Sequence, residues 1–153
     1  MNPVVEIRNF DELKNKELYE ILKLRNEVFI VEQECAYDDI DGNDIDAVHL
    51  FIRNEGEIVA YCRILNPGVT FPSYAIGRVV TSVNCRKNGY ARLLMRTAIE
   101  YATGQLNAET IMVSAQVYLT GFYRSLGFHV ESDIYLEDNI PHCDMKYIVT
   151  KPE

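Results

Sequence analysis

The most restrictive feature of this sequence is a pair of apolar runs, VHLFIR at 48–53 and EIVAYCRIL at 57–65, separated only by Asn54-Glu55-Gly56. Short runs rich in β-branched and aromatic residues, joined by a tight polar turn, pair as an antiparallel hairpin. A hairpin alone is barely stable in water and must pack against further strands or a helix. The rest of the chain supplies both. Val4, Ile7 and Phe10 open an extended stretch. Asp11 is placed as a helix N-cap, and Leu18, Ile21, Leu22, Val28 and Phe29 then recur at three-to-four spacing as one long amphipathic helix. Pro67, Gly68 and Pro72 mark a loop before a strand over 74–82. A second helix begins at Gly89, with Leu94, Ala98 and Tyr101 on one side and Gly104 at its end. A strand over 111–115, a short helix over 119–126 closed by Gly127, and a strand over 144–149 follow. This order predicts an α+β fold, a mixed sheet covered by helices. No repeat, linker or low-complexity tract interrupts it.

A chain of 153 residues with 48% apolar side chains can bury roughly two thirds of its unfolded surface in one core, so neither a disulfide nor a metal is required. A single domain over 1–153 is the expectation. Cys35, Cys62, Cys85 and Cys143 form no CxxC pair and have no histidine at zinc-finger spacing, which predicts free thiols. The net charge of −8 opposes attraction to phosphate backbones and argues against a nucleic-acid partner. The first residues show no basic stretch leading into an apolar run, and no 18-residue apolar segment occurs. The expectation is a cytoplasmic protein without a membrane partner.

Charge is distributed unevenly. Between Val83 and Ile99 stand Arg86, Lys87, Arg92 and Arg96 and no acid. This island coincides with a strand-to-helix turn, where unpaired N–H groups and the helix dipole favour an anion. In Arg86-Lys87-Asn88-Gly89-Tyr90-Ala91, Gly89 has no Cβ and Ala91 is small, so a pyrophosphate can approach the main chain. The plainer reading is a solvated basic helix start with Gly89 as an ordinary turn residue. Neither a Walker sequence nor G-x-G-x-x-G is present. Residues 32–46 carry the opposite imbalance: Glu32, Glu34, Asp38, Asp39, Asp41, Asp44 and Asp46, without a base. A calcium-loop frame fails, because Gly42 at its sixth position puts Tyr37 first and Val48 twelfth. Two readings stay open, a solvated acidic loop and an entrance that attracts a cationic amine.

The succession YAIGRVVTS, RKNGYA, helix, IMVSAQ and LTGFYRSLGF resembles the GNAT superfamily of acetyl-CoA-dependent N-acetyltransferases. LRNEVFIVEQECAYDDIDGND and NIPHCDM resemble its ElaA-like branch, so that the likeness runs from about Val5 to Val149. The resemblance implies a mostly antiparallel central sheet flanked by helices, acetyl-CoA as cosubstrate, no metal, and a small-molecule or peptide amine as acceptor. Members often pair, which implies a homodimer. It also implies that main-chain groups of Val79, Val80 and Thr81 pair with the pantetheine arm, one N–H polarising the thioester carbonyl. N–H groups of Arg86, Lys87, Asn88, Gly89, Tyr90 and Ala91, with Arg92, would hold the pyrophosphate. Gln116 stands where many members have an asparagine touching the cofactor, and Tyr123 matches the tyrosine that protonates the departing thiolate.

The chemistry agrees with those residue types. A tetrahedral oxyanion is stabilised by donors fixed where its charge develops. A tyrosine of ordinary pKa about 10 can give its proton to a thiolate of about 8.5 as negative charge builds. The base that deprotonates the amine is less defined: strand 74–82 has no acid, and Glu32, His49 and His142 are candidates beside a water chain. Glu32 is expected to pair with Arg25 on its own helix. Cys85 and Cys143 lack the His/Asp spacing of a covalent nucleophile, and on a strand His142 and Cys143 point to opposite faces. Two other readings are open. One is a catalytically silent acyl-CoA-binding or sensing module. The other is an acyl-homoserine-lactone-synthase-like acyltransferase, suggested by Arg25-x-x-Val28-Phe29 and opposed by the absence of tryptophan and the shorter chain.

Overall fold

The computed structural model describes residues 3–150; Met1 and Asn2, which begin the segment read for a leader, lie outside them. Eight strands form one sheet: β1 (Val5–Asn9), β2 (Val48–Asn54), β3 (Glu57–Leu65), β4 (Tyr74–Thr81), β5 (Thr110–Gln116), β6 (His129–Val130), β7 (Tyr135–Glu137) and β8 (Ile140–Ile148). Their order is β1-β2-β3-β4-β5-β8-β6, with β7 also on β8. Every pairing is antiparallel except β4 with β5, which are joined through the crossover helix α2 (Tyr90–Gly104). The mixed, mostly antiparallel α+β architecture is the one expected.

Both faces of the sheet are covered, which is why the hairpin strands read as nearly continuous apolar runs. Side chains alternate across β2 and β3: Leu50, Ile52, Ala60, Cys62 and Ile64 pack in the core beneath α2, while Phe51 and Tyr61 pack with Ile21, Leu24 and Val28 of the first helix, joined by Ile58, which a bulge at Val59 turns to that face. Leu94, Met95, Ala98 and Ala102 form the fully buried stripe of α2, and a large side chain buried this way stabilises the fold by about 1.5–3 kcal/mol. The hairpin closes through Glu55 and Gly56, both at positive φ. Helix α3 (Thr120–Ser125) ends at Gly127, whose φ of +103° lets its N–H reach Arg124 O and the next N–H reach Tyr123 O. A Cβ there would stand 3.0 Å from the Tyr147 ring.

Three local expectations are corrected. Asp11 is not an N-cap: residues Phe10–Glu12 make a single 3-10 turn, and α1 (Asn15–Arg25) starts after Lys14, whose N–H is taken by Glu17 Oε1 at 2.9 Å. The first helix does not run regularly through Phe29. Over Asn26–Glu32 it widens into π turns, with Gln33 N–H to Val28 O and Cys35 N–H to Ile30 O each at 3.2 Å. The last strand begins at Ile140 rather than 144, and β6 and β7 were not foreseen, being very short and paired opposite a run containing Pro141. Among the described residues no helix is long and apolar enough to cross a membrane.

Candidate active site

Strands β4 and β5 pair only at Tyr74↔Ile111 and Ala75↔Met112. Beyond these pairs they diverge, and the space between them is a cleft of about 870 Å³, within the range of ligand pockets. A bulge reinforces the divergence. Tyr61 opposes Val80 and Arg63 opposes Gly77, so β4 carries one residue more than β3 across this step. Arg78 absorbs it at φ +52°. The Ser82 N–H bonds Val59 O at 2.7 Å, so Val80 and Ser82 turn their main-chain groups to β3. Alternation gives Val79 and Thr81 the opposite edge, the one β5 leaves uncovered.

That edge runs into the basic turn. Lys87 and Gly89 both have positive φ (+71° and +77°), and the first bond of α2 is Leu93 N–H to Gly89 O at 3.1 Å. The N–H groups of Tyr90, Ala91 and Arg92 thus have no partner within the helix, and successive N–H groups in such a turn form an anion cradle. A Cβ on Gly89 would meet no atom within 4 Å, so the space before the cradle is open. Arg92 donates one Nη2–H to Ser125 Oγ at 2.9 Å and lies over the Phe122 ring, which orients its guanidinium beside the cradle to which it also offers its main-chain N–H.

The Glu32–Arg25 pair expected from the sequence does not form. Glu32 is instead held bidentately by Arg86 at 2.6 and 2.5 Å, because the π turns carry it to the cleft. The Arg86 hydrogen bonds hold its carboxyl below the ordinary range, which suits an orienting partner of Arg86 and not a proton acceptor. His49 is also corrected. It is fully buried, receives the Tyr61 hydroxyl at Nδ1 (2.7 Å), donates from Nε2 to Asp44 O (2.8 Å), and is kept neutral by burial, away from the cleft.

His142 and Gln116 face each other across β5 and β8, and both line the cleft, as does Tyr123. The His142 Nδ1 lies 2.7 Å from Ile140 O; a carbonyl only accepts, so Nδ1 carries a hydrogen and the lone pair of the neutral imidazole is on Nε2. Its neighbour Cys143 lies in the core on the other face, so the two form no dyad. Tyr123 is 6% exposed, edge-on to Phe122 (5.2 Å) and Phe128 (5.8 Å), and burial raises its pKa, keeping the hydroxyl protonated.

The acidic segment is solvated only in part: Glu32, Glu34, Asp38 and Asp46 are exposed, and the other three acids are turned inward. Asp39, Asp41 and Asp44 fold inward onto Arg25, Arg63 and Arg78. Arg25 donates to Asp39 Oδ2 (3.0 Å), Asp39 O (2.7 Å) and Asp44 Oδ1 (2.8 Å). Arg63 bonds Asp44 Oδ1 (2.8 Å) and both oxygens of Asp41 (3.0 and 2.7 Å). Arg78 meets Asp39 Oδ1 at 2.7 Å and lies over the Tyr37 ring. The segment is thereby tied to the bulge that opens the cleft.

Sequence reading missed a second polar group at the cleft. Tyr135 stacks on His142 (6.1 Å between centroids, 21°), donates to Asp144 Oδ1 at 2.7 Å and lies 2.5 Å from Ser114 Oγ; its pKa is pushed up to about 12, chiefly by burial. Glu137 Oε2 is 3.6 Å from His142 Nε2 and accepts from Ser114 at 3.3 Å. The signal was present: Tyr135-Leu136-Glu137 and Ile140-Pro141-His142 flank Asp138-Asn139, a two-residue turn with both φ positive.

Comparison with known proteins gives consistent matches. Residues 11–149 match the sequence profile of the acetyltransferase (GNAT) domain. A UPF0039-family protein of Schizosaccharomyces pombe is 45% identical over 139 residues, 90% of this chain and 91% of that one. Escherichia coli ElaA is 39% identical over 136 residues, 88% of this chain and 89% of its own, and its crystal structure aligns with a TM-score of 0.89. The crystal structure of an acyl-CoA N-acyltransferase from Pseudomonas aeruginosa is 38% identical and aligns with a TM-score of 0.88 over 95% of this chain and 99% of that one.

Proposed function

Because the chain belongs to the GNAT acetyltransferase family and is an acyltransferase, we propose that it moves the acetyl group of acetyl-CoA directly to a primary amine in a ternary complex. The observation that carries this reading is the uncovered edge of β4, which leads without interruption into the N–H cradle at 86–92 and shares one cleft with Tyr123.

In this reading the pantetheine arm lies along the Val79–Thr81 edge, taking main-chain bonds that β5 does not use. A β4 N–H polarises the thioester carbonyl and stabilises the oxyanion that follows. The turn residues Arg86, Lys87, Asn88, Gly89, Tyr90 and Ala91, with the N–H of Arg92, hold the pyrophosphate, and Glu32 orients Arg86 beside it. Gln116 borders the cofactor arm. The His142 Nε2 takes one proton from the ammonium, and the free amine attacks the acyl carbon. The C–N bond forms and the C–S bond breaks as Tyr123 gives its proton to the sulfur. The second amine proton then replaces the one Tyr123 lost, and His142 returns its own to solvent. A covalent acyl-cysteine route is disfavoured: Cys62, Cys85 and Cys143 lie in the core, where burial holds Cys62 and Cys143 as thiols, and the sulfur of the cleft-lining Cys35 meets the main-chain Asp138 O and not a base.

Release of coenzyme A thiol from acetyl-CoA, measured over a broad panel of primary amines, is the direct test. No release with any amine would reject acetyl transfer. A second expectation concerns the cradle. Gly89→Asp introduces negative charge where the phosphates sit and is expected to lower acetyl-CoA affinity by at least about tenfold in calorimetry. Gly89→Asn tolerates the same left-handed backbone without the charge and should retain most of it. Equal affinities in all three proteins would place the pyrophosphate elsewhere.

A further inference from the structure

The cleft contains four carboxylates, Glu32, Asp41, Glu137 and Asp138, and the protein neutralises only two of them. Glu32 is held by Arg86, and Asp41 by Arg63 and Arg78. Glu137 has no lysine or arginine partner among the described residues; its neighbours are the Ser114 hydroxyl at 3.3 Å and His142 Nε2 at 3.6 Å.

His142 supplies an independent indication. The residue is 8% exposed and lines the cleft, its Nδ1–H is used by Ile140 O, and among the described residues no donor lies within hydrogen-bond range of its Nε2. With the imidazole neutral, His142 Nε2 and an oxygen of Glu137, whose side chain is 54% exposed, are two acceptors 3.6 Å apart. Neither satisfies the other while the imidazole is neutral, and both lack an N–H. A primary ammonium carries three N–H donors on one nitrogen and can bridge two acceptors at this separation, with the positive charge against the carboxylate. A neutral amide or alcohol offers fewer donors and no charge.

Building on the acetyl-transfer reading, we propose that Glu137 is the dock for the acceptor's ammonium group, so that the acceptor is a primary amine that arrives as a cation and is bridged between Glu137 and His142. Docking on Glu137 leaves the proton to be lost pointing at Nε2, and the carboxylate stabilises the imidazolium once the proton has moved, since the two atoms then form an ion pair. Glu137 sits on the Tyr135–Glu137 strand, whose partner strand holds His142, so one hairpin sets the spacing of both groups.

The test compares benzylamine, a cation near pH 8, with aniline, which is neutral there, on the unaltered enzyme, Glu137→Gln and Glu137→Asp. For Glu137→Gln we expect kcat/KM with benzylamine to fall about 10- to 100-fold, mostly through KM, with aniline changed less than about twofold. Glu137→Asp should recover part of the loss. An equal loss with both amines, or none with either, would overturn the dock. Calorimetric binding of primary amines in the presence of coenzyme A needs no turnover and separates this proposal from the reaction itself. A matching loss of benzylamine affinity in Glu137→Gln supports the dock even if no thiol is released, an outcome that would sink acetyl transfer alone. Failure of every primary amine to bind the unaltered protein would overturn the dock.

Discussion

Replacing Arg25 by alanine is expected to lower the free energy of unfolding by about 3–5 kcal/mol, a large part of the roughly 5–15 kcal/mol that holds a domain of this size together. The Arg25 side chain has no solvent exposure and donates to Asp39 twice and to Asp44 once, lying 5.8 Å from the centre of the Tyr61 ring. Its removal leaves two buried carboxylates short of donors and opens a cavity the length of a guanidinium stem. Arg63 and Arg78 still face those carboxylates, which limits the loss. Arg25→Lys should recover little, because one ammonium cannot reproduce three directed bonds. Urea unfolding followed by circular dichroism measures the effect, and a change under about 1 kcal/mol would show that the network contributes no net stability.

The same network sets the response to acid. Burial works to raise the carboxyls of Asp41 and Asp44, but hydrogen bonds from Arg63 and Arg25 outweigh it and hold both below the usual carboxylate range. For such groups the stabilisation is complete above the unfolded value near 3.9 and is lost as pH falls through the lower folded value. Melting temperature should therefore be flat near neutrality and drop steeply below about pH 4–5. Proteins lacking Arg25 should show a shallower drop.

The second large effect is on rate. Tyr123→Phe is expected to slow thiol release by about 10²- to 10³-fold while leaving acetyl-CoA affinity within about twofold. Only a hydroxyl is removed, and phenylalanine keeps the edge-on contacts with Phe122 and Phe128, so packing is preserved. Burial already holds this hydroxyl protonated, which is the form a proton donor requires. Paired rate and binding measurements separate lost chemistry from lost affinity. An unchanged rate with every active amine would remove Tyr123 from the mechanism.

What the sequence disclosed and what it concealed follow from range. The hairpin, β4, α2 and β5 are each specified by periodicity and turn residues within a few positions, and the basic turn lies wholly inside one such unit. The fate of the acidic segment is different in kind. Counting along 32–46 finds seven acids and no base, yet Arg25, Arg63 and Arg78, which neutralise three of them, all lie outside that window, on the helix before it and two strands after it. A local charge count cannot pair residues that only the sheet brings together. The bulge escaped for a similar reason, since an extra residue in β4 is defined by its register with β3; Gly77 inside the strand was its one local sign. The displacement of Glu32 from Arg25 to Arg86 depends on π turns that no apolar spacing encodes.

Two residue pairs are the whole of the ladder between β4 and β5, although one core beneath α2 spans both sides of it. The sheet is in effect two plates, β1–β4 and β5–β8, meeting along a seam as short as the knuckle of a door hinge. Bulk added at Tyr74, Ile111 or Met112, none of which lines the cleft, would act with leverage: a small shift at the seam becomes a larger change of gape at Thr81 and Gln116. Selectivity could thus be retuned from side chains that no substrate ever reaches.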